Sequence, residues 1–447
     1  MDSSTAASGA NLTLSENRIL RLATVALFYF TQGVPTGFFY VALPTWLAVE
    51  GYSAGDIAAV VSATSLPHSL KFLYGFIMDR YTFLPMGRRR AWILGAQLML
   101  CASLMLGAIL TLTDFSIFIL SALGMMAAFS WAFQDVGIDS LAIDIMPDDE
   151  RGKAASLMFG SAMLGLAAMT WAGGIALESY GISVAFAVTA AAPVTVLIFG
   201  IFIREREGER RLPWSAGGAH PRNRAIQIEA WKPLLVSAFR ALLTPLSFLL
   251  ALALFSRSIP VGVADTLHPI LATRGAGWEL TDYTDVLTLS QLAAGLLSLF
   301  VFGFIITRIG AQRSMSIGAL LLAGMYGAMV AGQSLWADRV VLTTFLFSYD
   351  ILTLFVQVSA IAITMRFCSP AVAATQFPIY MALANMGRPV GATISGALGE
   401  QALDLIFTVL IGVNIGLVLL LLLVRFPSNA SDTSAVESDL APERPHS

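Results

Sequence analysis

The sequence predicts an all-α membrane protein with twelve transmembrane helices in two related halves of six helices each. Three observations support this prediction. Hydrophobic residues make up 57% of the 447 residues and charged residues only 12%, whereas roughly a quarter of a soluble domain is charged. Twelve apolar runs have about the length that crosses a bilayer as a helix. Finally, short motifs of the first half recur in the same order in the second half.

The apolar runs divide the chain into segments. They are predicted at residues 19–47, 55–78, 91–112, 115–145, 154–176, 182–203, 242–272, 283–306, 314–332, 338–366, 371–396 and 402–425. The halves are therefore 19–203 and 242–425, with 204–241 as a central linker. Residues 1–18 form a polar N-terminal tail. The tail 426–447 is rich in Ser, Asp, Glu and Pro, a composition that predicts disorder.

Basic residues alternate between the loops and predict the orientation. Arginine and lysine follow runs 2, 4, 6, 8 and 12, while the other loops are acidic or nearly uncharged, with Arg274 and Arg339 as exceptions. Because loops rich in Lys and Arg stay on the cytoplasmic side, both termini and the linker are predicted to be cytoplasmic.

The two halves repeat at a nearly constant offset. Pro35 matches Pro260 (260 − 35 = 225), and the stretch beginning at Gly75 recurs at Gly303. Gln134 matches Gln357 with an offset of 223. Six-helix repeats of this kind are typical of secondary transporters, in which the substrate binds near the midplane between the halves.

The fourth run holds acidic residues at membrane depth. Asp135 and Asp139 are four positions apart and share one helix face. Charges at this depth need a compensating role, so the pair is predicted either to exchange the coupling proton or to form a structural ion pair. Lys71, in the second run, either balances these acids or extends to the membrane surface. His68 is predicted to be a packed polar residue, with a proton relay as the alternative.

Proline and glycine at matching positions of runs 1 and 7 indicate a binding site. Run 7 is expected to be broken around Pro260 and Gly262. The polar side chains near these interruptions, and those at depth in runs 10 and 11, are the predicted substrate-binding residues: Gln32, Tyr40, Arg257, Asp265, His268, Asp350, Gln357 and Arg388. Asp265 and His268 are either a coupled pair or part of an outer gate.

The short loop after run 2 is predicted to gate the cavity as well as to orient the chain. It contains Asp79, Arg80, Arg88, Arg89 and Arg90. Asp79 can dock on a helix end or on an arginine of the other half. The three consecutive arginines can pair with acids such as Asp148 to Glu150.

No pattern in the sequence indicates an enzyme. The chain lacks a phosphate-binding glycine loop ending in Lys-Ser/Thr and the serine hydrolase and zinc protease motifs. Its two cysteines, Cys101 and Cys368, have no metal-ligand spacing. We therefore expect no metal or cofactor, and an ion gradient as the energy source.

Several stretches of the first half resemble a known transporter family. The loop form G-x-x-x-D-R … G-R-R-R resembles that of the major facilitator superfamily. Within that superfamily the chain resembles the AmpG-like muropeptide permeases more closely. The stretches that carry this resemblance are Leu70 to Leu73, Met78 to Tyr81, Gly87 to Trp92, Phe133 to Asp139 and Tyr29 to Pro35. The resemblance is clear over about residues 25–160 and weaker beyond.

This resemblance implies a bacterial inner-membrane protein that imports its substrate with protons by alternating access. Anhydro-muropeptides from cell-wall recycling are the best-known substrates of that family, and related proteins carry siderophores or acetyl-coenzyme A. An alternative function from a different class is that of a membrane assembly factor that does not transport a substrate. We expect a small-molecule substrate, protons and the lipid bilayer as partners, no nucleic acid, and a monomer.

Overall fold

The structure is a computed structural model, and it describes residues 12–111, 116–225, 236, 243–367, 373–399 and 402–424. The predicted tail 426–447, residues 1–11 and most of residues 226–241 lie outside this described part, as do the side chains of Asp148 to Glu150. Within it the chain is helical, and its β-structure is a single parallel bridge between Thr13 and Arg204.

Each of the twelve predicted stretches contains helix. We label them in chain order as α1 (Arg18–Gly37, Phe38–Ala42, Leu43–Val49), α2 (Ala54–Ser65, Leu66–Leu70, Lys71–Arg80), α3 (Arg90–Leu110), α4 (Ile117–Ile145), α5 (Asp148–Tyr180), α6 (Ile182–Phe202), α7 (Pro245–Ile270, Leu271–Gly275), α8 (Leu280–Leu297, Ser298–Phe302, Gly303–Ile309), α9 (Ala311–Ala331), α10 (Arg339–Phe367), α11 (Ala373–Leu398) and α12 (Leu403–Leu423).

Nine of these helical stretches are long and apolar enough to cross a membrane, counting only described residues; α1, α2 and α11 do not meet that measure. The count of twelve crossings therefore stays a prediction. Several helices begin where a side chain satisfies a free backbone N–H group. Asn17 caps α1, Ser53 and Asp56 form a capping box on α2, and Ser116 caps α4.

The irregular turns are not all where the sequence predicts them. In α1 a π-helical turn at Phe38–Ala42 follows Pro35. In α7, however, the α-helix runs through Pro260 and Gly262, and the π-helical turn comes later, at Leu271–Gly275. The prediction of a break around Pro260 is wrong, because a proline removes only one helical hydrogen bond and a helix surrounded by protein tolerates this loss.

By their contacts the residues form two compact units. The first consists of Met1–Phe38 and Leu73–Trp231. In it α1 packs along α5, and α3 packs against both α4 and α6. Its core includes Phe28, Ile138 and Val196.

The second unit consists of Phe39–Phe72 and Lys232–Ser447. Here α7 packs along α11, α9 packs against α10 and α12, and the first helix of α2 packs against α11. The latter parts of α1 and most of α2 thus belong to the same compact unit as α7 to α12, although they lie in the first half of the sequence.

Candidate functional site

A close approach of α7 and α11 organises the interior of the second unit. Gly262 lies directly against α11, since a Cβ atom added there would lie 1.8 Å from the carbonyl oxygen of Arg388. Gly391 lies equally close to α7, where an added Cβ would be 2.0 Å from the carbonyl oxygen of Ile259. The missing side chains allow the two backbones to touch, which is the usual role of small residues in membrane helix pairs.

This approach brings three of the predicted binding residues together. The Nε of Arg388 donates a hydrogen bond to Oδ2 of Asp265 at 2.6 Å. The guanidinium carbon of Arg388 lies 3.4 Å from the centre of the Tyr40 ring, so a cation–π interaction adds to the ion pair. Asp265 and Arg388 therefore compensate each other's charge. Among the described residues no hydrogen bond or ion pair joins Asp265 to His268.

His268 has a packing role in this structure. It is buried, and its ring meets those of Phe345 and Tyr349 edge to face, with centroids 5.0 and 4.6 Å away. The Tyr349 hydroxyl in turn donates to the carbonyl oxygen of Pro260 at 3.3 Å. The histidine is held by apolar rings.

Arg257 differs from Arg388 because no acidic residue in the described part of the chain is paired with it. It lies three residues before Pro260 on α7 and is half-buried. Its Nε is buried without a hydrogen-bond partner, and among the described residues no carboxylate forms an ion pair with it. A cation in this setting is available to bind an anion from outside the protein.

Asp350 lies on α10 and is bonded to a hydroxyl group. Its Oδ2 is hydrogen-bonded to Oγ of Ser290 on α8. Gln357 lies two turns further along α10 and is half-buried. Sequence reasoning did not identify Ser290, because nothing distinguishes it from the other hydroxyl residues of α8.

In the first unit, α4 contacts α1 through polar side chains. The Tyr29 hydroxyl is bonded to Oδ1 of Asp139, and Gln134 donates from Nε2 to the hydroxyl of Thr31 at 3.3 Å. Asp135 is half-buried one turn before Asp139. The role of Tyr29 was not predicted.

Three further predicted residues are Gln32, Lys71 and His68. Gln32 is 8% exposed, and its Nε2 has no hydrogen-bond partner among the described residues. Lys71 and His68 are half-buried in the second unit, where the carbonyl oxygen of His68 accepts a hydrogen bond from Asn385 at 3.2 Å. The pairing of Lys71 with Asp135 or Asp139 stays a prediction.

The loop after α2 forms an ion network, which we call the loop network: Asp79, Arg88, Arg89, Asp144 and Glu205. Asp79 accepts hydrogen bonds from both arginines, at 3.1 Å in the case of Arg88. Arg88 and Arg89 also lie 3.3 and 3.5 Å from Asp144 of α4. Both arginines are 5% exposed, so the network is largely enclosed.

Glu205 joins the loop network through the backbone. Its carboxylate accepts the N–H groups of Arg88, Arg89 and Arg90 at 2.8, 2.7 and 2.5 Å, and it is fully buried. These donors lie at the start of α3, where a helix favours negative charge. Burial raises the pKa of Glu205, and the three N–H groups oppose this shift. In the sequence, an acid between Arg204 and Arg206 was the available signal.

The other loop arginines have separate roles. Arg90 donates to the carbonyl oxygens of Gly200, Ile201 and Arg210, and so ties the end of α6 to the linker. Arg80 is exposed.

Beside Glu205, the linker carries a second buried acid. Glu209 accepts hydrogen bonds from the backbone N–H of Arg206 at 2.9 Å and from Nδ2 of Asn223 at 2.6 Å. Burial, followed by repulsion from Glu205, raises the pKa of Glu209 to about 7.

Comparison with known proteins agrees with this architecture. The chain is 31% identical over 157 residues to the anhydromuropeptide permease of Escherichia coli, a match that spans 35% of this chain and 31% of the permease. It is 24% identical over 394 residues to an uncharacterized protein of Haemophilus influenzae, covering 82% and 85% of the two chains. The crystal structure of a mutant of the nucleoside transporter NupG superposes with a TM-score of 0.71 at 13% identity, covering 90% of this chain and 99% of that one.

The family model of the Major Facilitator Superfamily matches residues 25–376, which is more than three quarters of the chain. The all-helical fold and the NupG likeness agree with that match. The chain therefore belongs to the major facilitator superfamily, whose members are membrane transporters and not enzymes.

Proposed function

We propose that this transporter imports an anionic amphipathic solute together with protons by alternating access, and that the solute is an anhydro-muropeptide released in cell-wall recycling. The observation that carries the proposal is Arg257, a half-buried cation without an acidic partner among the described residues. An unpaired charge at membrane depth is unfavourable, and a substrate carboxylate supplies the missing opposite charge.

The substrate class rests on the similarity to the E. coli permease, which covers about a third of each chain. Muropeptides carry carboxylates on their peptide part, which suits an arginine that can bind a carboxylate through two N–H groups. In this proposal Gln32, whose buried Nε2 has no hydrogen-bond partner among the described residues, and Gln357 are further contacts to the substrate.

Protons are the proposed coupling ions, exchanged at Asp135 and Asp139 with Lys71 as the balancing cation. The hydrogen bond between Tyr29 and Asp139 supports this role, because it holds this carboxylate against α1 in a defined position. The proposal also includes a bacterial inner membrane, cytoplasmic termini, a monomeric protein and no bound cofactor. The loop network then lies on the cytoplasmic side as a gate.

Uptake into proteoliposomes tests this function. Labelled anhydro-muropeptide and a labelled ferric siderophore are offered to the purified protein under an imposed pH gradient. We expect the muropeptide to accumulate and the siderophore to remain outside. Accumulation of the siderophore alone would assign the other substrate class, and movement of neither by correctly folded protein would favour a non-transporting role.

Asp139→Asn tests the coupling in the same vesicles. We expect this variant to fold normally and to lose gradient-driven accumulation, because the amide cannot exchange a proton. Asp285→Asn, an exposed acid on α8, is the matched control and should accumulate substrate like the unmodified protein. Normal pH-dependent uptake in both Asp135→Asn and Asp139→Asn would rule out this coupling site.

A further inference from the structure

Asp350 and Ser290 form a hydrogen bond that has no part in the coupling site proposed above. Asp350 is half-buried on α10, and Ser290 is fully buried on α8. The titratable neighbours with which Asp350 interacts electrostatically include Asp265 of α7, Tyr283 of α8 and Tyr349 of its own helix. Within the described part of the chain no lysine or arginine is paired with it.

The charged surroundings of Asp350 differ from those of Asp265. The carboxylate of Asp265 has the positive charge of Arg388 beside it at 2.6 Å. Asp350 has a hydroxyl partner and a nearby carboxylate, neither of which supplies positive charge. A carboxylate at membrane depth without a cation is unfavourable, and a bound proton removes that charge.

The hydroxyl group of Ser290 can form a hydrogen bond with Asp350 in either charge state of the carboxyl group. A serine hydroxyl has one hydrogen to donate and accepts through its oxygen. Two acceptors lie within reach of this hydrogen, the carboxylate of Asp350 and the carbonyl oxygen of Leu287 at 3.1 Å. When Asp350 is ionised, Ser290 donates to it. When Asp350 holds a proton, its O–H donates to Ser290 Oγ, and the serine hydrogen turns to Leu287.

We propose that Asp350 is a second proton-binding site of the transporter, with Ser290 as the positioning residue that keeps a hydrogen bond to it in both protonation states. One proton is taken up and released, and no covalent bond apart from the O–H bond of Asp350 is made or broken. The coupling of this proton to substrate movement rests on the proposed function, whereas proton binding itself does not.

Infrared difference spectroscopy tests proton binding without any substrate. The protein is reconstituted in lipid, and the absorption of protonated carboxyl groups is followed as the pH is varied. We expect a titrating band in the unmodified protein and in Asp285→Asn that is lost in Asp350→Asn. Ser290→Ala should retain the band with a shifted midpoint, because alanine removes the hydrogen bonds to both charge states of Asp350, and the charge-assisted bond to the ionised state is the stronger of the two. An unchanged spectrum in Asp350→Asn would overturn the proposal.

Transport assays with labelled anhydro-muropeptide test the coupling. Asp350→Asn should lose accumulation driven by a pH gradient while it still exchanges internal for external substrate, since exchange needs no net proton movement. Loss of both activities in a folded variant would make Asp350 a substrate contact and would overturn the coupling role. Absence of uptake by the unmodified protein would refute the proposed function, and the infrared result would still decide whether Asp350 binds a proton.

Discussion

The loop network and the interior of the second unit differ in how far their charged side chains are paired with opposite charges. In the loop network Asp79 is shared by Arg88 and Arg89, and both arginines also approach Asp144. In the interior of the second unit Asp265 and Arg388 form an ion pair. Arg257 and Asp350 have no opposite charge among the described residues. Charges that fix structure are compensated within the protein, whereas these two remain available to a ligand or a proton.

Substitution of a paired charge and substitution of an unpaired charge should affect stability in different ways. Removing one member of a buried pair leaves an uncompensated charge and destabilises the fold. Removing a charge that was already uncompensated relieves an unfavourable burial and leaves the fold intact. Stability and transport measurements should therefore separate the two groups of residues.

The largest expected loss of stability follows from opening the pair in the second unit. Asp265→Leu leaves Arg388 without its acid, and we expect a loss of about 3 kcal/mol, near the lower end for buried pairs, because the Arg388 side chain is 24% exposed. The double variant Asp265→Leu/Arg388→Met should recover most of that loss. Thermal unfolding in detergent measures both, and equal destabilisation of the single and double variants would contradict the pairing.

Arg257→Gln should give the opposite pattern. Loss of a charge-assisted hydrogen bond of about 1.5–3 kcal/mol predicts affinity for the anionic substrate that is weaker by roughly 10- to 150-fold. The unfolding temperature should remain the same or rise, since an unpaired cation is removed. Arg313→Gln, an exposed arginine at the start of α9, is the control for loss of charge alone. A drop in stability with unchanged affinity would show that Arg257 is structural.

A smaller loss of stability is expected when the buried carboxylate of the loop network is removed. Glu205→Ala removes the acceptor of three backbone N–H groups at the start of α3, and we expect a loss of about 1–3 kcal/mol. Glu205→Gln keeps one acceptor oxygen and should lose less. Glu207→Gln, an exposed acid two residues away, should be neutral. Equal unfolding temperatures for all three variants would show that the bonds of Glu205 contribute nothing.

The sequence predicted what depends on local composition. Apolar runs located helix in all twelve stretches, and the motifs of the first half identified the superfamily. The pairing of Asp265 with Arg388 joins positions 123 residues apart, and it depends on how closely α7 and α11 approach at Gly262. Residue spacing within one helix could not indicate that contact, and for the same reason it suggested His268 as a partner of Asp265.

Residues whose role depends on an opposing backbone were the hardest to find. Glu205 is one acid in a mixed-charge linker, and its function arises because the start of α3 presents three free N–H groups to it. Ser290 is one hydroxyl residue of α8, and its importance comes from Asp350 on another helix. Both require the tertiary structure.

The smallest effect should be a dependence of stability on pH at Glu209. Burial and the neighbouring Glu205 raise the pKa of Glu209 to about 7 in the folded protein, above its ordinary value of about 4.3 when unfolded. Between these two values the folded state binds more protons, so stability should fall as the pH rises through this range, with a slope of at most about 1.4 kcal/mol per pH unit. Glu205 contributes a slope of the same sign, because its pKa is also raised.

Glu209→Gln tests this dependence, because a side chain that cannot ionise removes its share of the slope. Thermal unfolding at a series of pH values between 4.5 and 7 should show a flatter profile than that of the unmodified protein, with a residual slope from Glu205. Glu207→Gln removes an exposed acid from the same linker segment and should leave the profile unchanged. Identical profiles for the two variants would mean that Glu209 stays ionised throughout, and that the hydrogen bonds from Arg206 and Asn223 fully compensate its burial.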